Sequence, residues 1–176
     1  YTGYCASKAG LDGMVRAPLA ASPDCFTPLS DTMPDYLETK GRENAVGPKA
    51  VTAPGNLMAW CEILRRFGTF PLADVMAPAI AHATQGFRAT PYLVECISDA
   101  APDLALDAEI SKIFMRDGAP IAPGDRVIQG DYGETLKAIA TEGDSVLYGG
   151  ALGRTIADYM AQHGGMITMA DFESYR

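Results

Sequence analysis

Six side chains in this sequence carry thiol or imidazole chemistry: Cys5, Cys25, Cys61 and Cys96, and His82 and His163. The cysteines form no Cys-x-x-Cys pair and no zinc-type spacing. Cys61 and Cys96 fall within helical patterns, where buried, inert thiols are expected. Cys5 and Cys25 stay open between a disulfide pair in an oxidising compartment and two free thiols. The histidines are far apart in sequence, with no cysteine or carboxylate at ligand spacing. Surface or helix-terminal roles are therefore expected of them rather than catalysis. No metal site and no cofactor is predicted, and no complete catalytic constellation is present.

A second candidate lies at the start. Tyr4-Cys5-Ala6-Ser7-Lys8 resembles the Tyr-x-x-Ser-Lys motif of short-chain dehydrogenases. The resemblance implies that Tyr4 acts as an acid, with Lys8 one helical turn on lowering its pKa and binding a ribose. It covers about a tenth of the chain, and the context is missing. Pro18 interrupts the helix such a site needs next, no alternation of strands and helices follows, and there is no glycine-rich nucleotide loop. The alternative reading places Tyr4 and Lys8 at a strand end and turn leading into Leu11-Asp12-Gly13.

The elements that must position any site are mostly helical. Pro54-Gly55 signals a turn and Asn56 is a plausible N-cap. Leu57, Trp60, Ile63 or Leu64, and Phe67 then recur at helical spacing, predicting one apolar face with Glu62, Arg65 and Arg66 toward water. Gly68 ends that helix. Pro71 opens a second, with Leu72, Val75, Met76, Ala79, Ile80 and Ala83 on its apolar side and Pro78 inside it; Gly86 closes it. Pro91 opens a helix bearing Leu93, Val94 and Ile97 and ending near Pro102. Asp107 caps a shorter one ended by Asp117-Gly118. Residues 119–127 read as tight turns with a short extended segment. Tyr132, Leu136, Ile139 and Ala140 suggest a further helix stopped at Gly143. Leu152, Ile156, Tyr159 and Met160 suggest another, terminated by Gly164-Gly165. Thr168 is able to cap a last short helix. Residues 16–22 lead into a proline-rich, aperiodic stretch as far as Pro48, a long excursion of the kind that is often functional. The organisation predicted is a strand and loop segment over 1–50 leading into a helical part over 51–176, together a single-domain fragment.

Composition narrows the classes. The chain has 176 residues, 48% apolar and 20% charged, ordinary proportions for a globular protein able to bury a core. A net charge of -8 argues against nucleic acid or an anionic membrane surface as the main partner. No apolar run approaches the ~20 residues of a membrane span. The first residue is Tyr1 and the last follows a helical pattern, so a piece of a longer polypeptide is expected. The compartment stays open between periplasmic or extracellular and cytoplasmic.

Taken together, the landmarks acquire a family likeness. Val51-Thr-Ala-Pro-Gly, Trp60, Arg66-Phe67-Gly68, Pro71-Leu72-Ala73, Pro78-Ala79-Ile80 and Gln85-Gly86-Phe87 resemble consecutive landmarks of the gamma-glutamyltransferase family. Asp117-Gly118, Pro123-Gly124-Asp125, Thr135-Leu136, Ile139-Ala140, Tyr148-x-Gly150 and Gly164-Gly165-x-Ile167-Thr168-x-x-Asp171-Phe172-x-x-Tyr175 continue the series in order. The similarity spans roughly residues 16–176. Its force lies in the colinear set, since no one landmark is specific.

The resemblance implies an N-terminal nucleophile amidohydrolase: an α+β fold in αββα layers, of which this fragment would be predominantly helical with few short strands. In such enzymes a proenzyme cuts itself into large and small subunits, and the new N-terminal Thr of the small subunit attacks an amide. This chain would be part of the large subunit, walling the pocket and buttressing a sheet core contributed mostly by the rest of the precursor. No Thr present here sits in the family's nucleophile context, so no catalytic residue is expected in this chain and the nucleophile is expected beyond Arg176. The implied partners are the remainder of the precursor and a small-molecule amide or gamma-glutamyl substrate.

One departure bears on the substrate. Glutamyl-specific members carry an Asp-x-Arg-Glu-x-Ala-Pro run whose Arg pairs with the substrate α-carboxylate. Here the run is Asp12-Gly13-Met14-Val15-Arg16-Ala17-Pro18, with Met14 at the usual Arg position and Arg16 two residues on. Arg16 is thus the one substrate-binding candidate, as a bidentate partner of a carboxylate reached from a shifted position. The run is similar to the branch of amidases acting on other small acyl groups, such as oxamate. The alternative for Arg16 is a surface cation paired with one of the nearby aspartates. For the chain as a whole, the alternative to an enzyme piece is a non-catalytic helical binding or scaffold module.

Overall fold

The computed structural model describes residues 46–175. Among them the chain is mostly helical with few short strands, as the periodicity predicts. The segments 46–70 and 142–175 form one compact unit, and residues 71–141 form another.

In the first unit, a single 3-10 turn at Pro48–Ala50 precedes helix α1, Asn56–Phe67. Asn56 is not the cap: Gly55 holds that position without a side-chain bond, and Asn56 is already helical. Gly68 ends α1 as expected, its N–H donating to the Leu64 carbonyl at 2.7 Å. The expected apolar face is also revised. Leu57 packs on the unit's core, whereas Trp60, Ile63 and Phe67 are exposed. The helix is apolar over more than one face, and it turns Leu57, Cys61 and Leu64 away from solvent instead. Glu62 is flanked by ion pairs to Arg65 and Arg66 one turn on.

A second 3-10 turn, Gly143–Val146, leads to helix α6, Ala151–His163. Gly164 closes α6 in the left-handed conformation (φ 72°, ψ 21°), with its N–H on the Met160 carbonyl. The last helix, α7 (Met169–Ser174), starts with the cap expected of Thr168 and with more. The Asp171 carboxylate accepts from the Thr168 N–H at 2.7 Å while the Thr168 side chain accepts from the helix, a reciprocal capping box. Leu147, Ala157, Met160, Ile167 and Phe172 make the core, with Phe172 completely buried.

In the second unit, helix α2 runs over Leu72–Gln85, with Met76, Ile80 and Ala83 inward. Val75 and Ala79, expected on the same face, are exposed. Pro78 is tolerated because it and Asp74, whose carbonyl loses its donor, both lie on the solvent side. Gly86 then adopts φ 78°, and a Cβ there would lie 2.7 Å from the Val127 carbonyl. Only glycine meets both demands, and the chain passes straight into strand β1, Phe87–Arg88.

Helix α3, Pro91–Leu104, is capped by Thr90, whose hydroxyl accepts from the Leu93 N–H at 3.1 Å. It ends at Leu104, close to the exposed Pro102, as expected. Helix α4, Ala108–Phe114, is capped by Asp107, which accepts from the N–H groups of Glu109 and Ile110, both at 2.9 Å. Asp117-Gly118 is not the end of that helix. It is the two-residue turn of a hairpin joining β2 (Met115–Arg116) to β3 (Ala119–Pro120), both turn residues having positive φ.

Strand β4, Arg126–Val127, pairs antiparallel with β1, placing Phe87 opposite Val127 and Arg88 opposite Arg126. Helix α5, Gly130–Glu142, follows. The core of this unit is Ala89, Ile97, Ile121 and Val127, with Leu93, Val94 and Phe114 against it. No helix among the described residues is long and apolar enough to cross a membrane.

Candidate functional site

Arg16, the predicted substrate-binding residue, lies outside the described residues, as do Met14, Tyr4, Lys8, Cys5 and Cys25. The structure does place Cys61, Cys96, His82 and His163, and it brings none of them together. Cys96 is exposed, contrary to the expectation of a buried thiol, because α3 directs Leu93, Val94 and Ile97 inward and Cys96 out. It hydrogen-bonds with the exposed Tyr92 hydroxyl one turn earlier, which pushes that phenol upward. His163 closes the last turn of α6, its Nδ1 2.8 Å from the Tyr159 carbonyl and its ring stacked on Tyr159, the helix-terminal role expected. His82 is exposed on α2. No group of three or more His, Cys, Asp or Glu among the described residues is placed to hold a metal ion.

Among the described residues of the first unit, a polar arrangement around Tyr148 joins segments distant in sequence. Its hydroxyl donates to the Pro54 carbonyl at 2.5 Å and accepts from the Met58 N–H at 3.3 Å. Its ring stacks on Tyr175, centroids 5.1 Å apart. One phenol thus ties the turn before α1, the first turn of α1 and the end of the chain to the loop before α6. Burial pushes the Tyr148 hydroxyl up to about 12, with Tyr175, Asp144 and Cys61 adding to the shift and the Met58 N–H opposing it. Cys61 is raised too, first by burial and then by the Asp144 carboxylate, against a hydrogen bond to the Asp144 backbone. At neutral pH both groups therefore hold their protons. A protonated thiol and a protonated phenol are poor nucleophiles and poor bases. This cluster is suited to holding backbone in place, not to covalent chemistry.

The sequence landmarks explain themselves in the same terms. Val51-Thr-Ala-Pro-Gly, Tyr148-x-Gly150 and Tyr175 meet at the phenol clasp. Gln85-Gly86-Phe87 and Pro123-Gly124-Asp125 meet at the β1–β4 ladder, where Ala89 N–H donates to the Asp125 carbonyl at 2.7 Å and Gly124 N–H to the Ala89 carbonyl at 2.8 Å. Sequence reasoning noted each of these segments but assigned no role to Tyr148. The signal available was its place in the ordered set of landmarks.

The clasp makes a pH prediction. A phenol whose folded pKa lies above its unfolded value of about 10 contributes stability that is complete below that value. The contribution is lost as pH rises toward about 12, the folded value of Tyr148. Urea unfolding of the complete protein between neutral and strongly alkaline pH should show this decline. In Tyr148→Phe the decline should be shallower and stability at neutral pH lower, two hydrogen bonds being lost. Identical alkaline profiles for the two proteins would remove Tyr148 as the group responsible.

Comparison with known proteins places the chain. The sequence profile described as Gamma-glutamyltranspeptidase matches residues 5–176. An acylase ACY 1 proenzyme from Pseudomonas sp. (strain V22) is 50% identical over 166 residues, 94% of this chain and 30% of that protein. The glutathione hydrolase proenzyme of Bacillus subtilis (strain 168) is 31% identical over 175 residues, 99% of this chain and 29% of that one. Among solved structures, the gamma-glutamyltranspeptidase of Helicobacter pylori aligns with a TM-score of 0.74 at 27% identity, covering 85% of this chain and 44% of that chain. The chain therefore spans about 30% of the length of the curated relatives it matches.

Proposed function

This chain belongs to the gamma-glutamyltranspeptidase family, and from that premise we propose that it forms part of the large subunit of a self-processing amidohydrolase that cleaves a small acyl group from an amide. The nucleophilic Thr, its α-amine serving as base, is supplied by the remainder of the precursor. The whole enzyme has the αββα layering of an N-terminal nucleophile hydrolase, with residues 1–50 leading into a helical part, 51–176, of a single domain. This part supports the pocket without contributing the attacking atom. Arg16 binds a carboxylate of the substrate.

The observation that carries the acyl reading is the difference between two identities. The likeness to a protein named an acylase is 50%, against 31% to one named a glutathione hydrolase, over nearly the same stretch. The Asp12-Gly13-Met14-Val15-Arg16-Ala17-Pro18 run supports it, because Met14 replaces the guanidinium expected of a glutamyl-specific pocket. With Met14 in place of that guanidinium and a carboxylate held instead by Arg16, the site has little to distinguish glutamyl from a plainer diacid.

The test is expression of the complete precursor, followed by mass analysis for self-cleavage and assay on paired anilides, one gamma-glutamyl and one carrying a dicarboxylic acyl group without the α-amine. Self-cleavage with the plainer acyl anilide as the better substrate is expected. A preference for the gamma-glutamyl anilide would return the enzyme to the glutamyl-specific branch. Neither cleavage nor hydrolysis would favour the non-catalytic helical module instead.

A further inference from the structure

The helix α1 carries two apolar faces, and among the described residues only one is packed. Leu57 packs into the first unit's core, while Trp60, Ile63 and Phe67 remain 63%, 44% and 77% exposed. At 100° per residue the three fall within roughly 60° of one another, so they form a single stripe rather than scattered side chains. Phe70, three residues beyond Phe67, is 69% exposed as well. With aromatic side chains burying about 150–250 Å² each, these four present on the order of 400 Å² of apolar surface. That is the scale of the largest patch on a typical monomer, and about half of one side of a standard interface. Aromatic residues grouped on one helix face, with ion-paired Glu62, Arg65 and Arg66 around the rest, have the composition of an interface core with a polar rim.

We propose that the Trp60–Ile63–Phe67 face of α1 is a docking surface for an apolar element of the precursor polypeptide outside this chain. The proposal rests on the reading above that the chain is part of a longer precursor. Its occupant is chosen by length. The chain spans 30% of the acylase relative that it matches at 50% identity, leaving most of that protein to polypeptide absent here. A second copy of this chain is the weaker occupant, since a face that must stay free for self-association would have to avoid all of that additional polypeptide. The expected counterpart is a helix or strand face bearing aliphatic or aromatic side chains and no unpaired charge, because an ion buried against Trp60 and Phe67 would be left without a partner.

The test uses the complete precursor. A photoreactive benzoylphenylalanine replaces Phe67 in one variant and Ile63 in a second, so that failure of one to fold leaves the other. A third, at Arg65 on the opposite side of α1, is the control. After illumination, cross-linked peptides are mapped by mass spectrometry, and self-cleavage and anilide hydrolysis are measured on the same samples. Cross-links from positions 67 and 63 to peptides beyond residues 1–176 of the same molecule, absent from position 65, are expected. Cross-links confined to residues 1–45, links between two molecules that rise with concentration, or none at all from either position would each overturn the proposal. If cleavage and hydrolysis persist while the cross-links go elsewhere, the docking surface falls and the proposed activity stands. If the cross-links form as expected without cleavage or hydrolysis, the activity falls and the surface stands.

Discussion

Replacing Phe172 with Ala should destabilise the first unit by about 3–5 kcal/mol, the range for truncating a fully buried aromatic side chain. Phe172 is 0% exposed and packs with Leu147, Ala157, Met160 and Ile167. Its ring also lies against the backbone of α6: a Cβ built on Gly153 would sit 3.5 Å from Phe172 Cδ2. At Gly153 itself α6 has no side chain that could swing in and fill the space. The cost should therefore include most of the cavity term as well as the lost transfer energy. Urea unfolding of the complete protein, read beside hydrogen exchange of the α6 amides, is the appropriate measurement. Phe172→Leu, which keeps most of the volume, should recover more than half of the loss. A loss for Phe172→Ala below about 1 kcal/mol would mean that the cavity closes, and that α7 is held by its capping box more than by its core residue.

Arg16→Ala, in the complete self-processed enzyme, should weaken use of a carboxylate-bearing substrate by about ten- to a hundredfold, the equivalent of roughly 1.5–3 kcal/mol for a charge-assisted contact. The loss should appear chiefly in KM. A carboxylate remote from the scissile amide is held equally in the ground and transition states, so kcat has little to lose. Arg16→Lys should restore only part, since an ammonium cannot reproduce the planar fork. Self-cleavage should survive both changes, because it depends on the nucleophile and not on the substrate pocket. The decisive comparison is an acid substrate against its neutral amide. Equal losses for both, or no loss for either, would leave Arg16 as an ordinary loop cation paired with the aspartates around it.

Much of the helical framework follows from local chemistry. Asp107 and Thr168 cap the helices expected of them because a carboxylate or hydroxyl beside free backbone N–H groups needs no distant partner. Gly68, Gly86 and Gly164 stop helices where a side chain would be excluded or strained. The ordered landmarks likewise sufficed for the family, since order along a chain is a property of sequence alone. Three matters were not local. Asp117-Gly118 stops a helix or turns a hairpin according to whether a strand is available to pair with Met115–Arg116, and Ala119–Pro120 supplies one. Tyr148 could not be singled out because its partners, Pro54 and Met58, lie about 90 residues away. The working face of α1 was ambiguous for a related reason. Its sequence is apolar around much of the helix, so periodicity admitted both the Leu57–Cys61–Leu64 side and the Trp60–Ile63–Phe67 side. Burial is decided by what packs there, and the core cluster against which Leu57 packs, Leu147 to Phe172, lies at the other end of the chain.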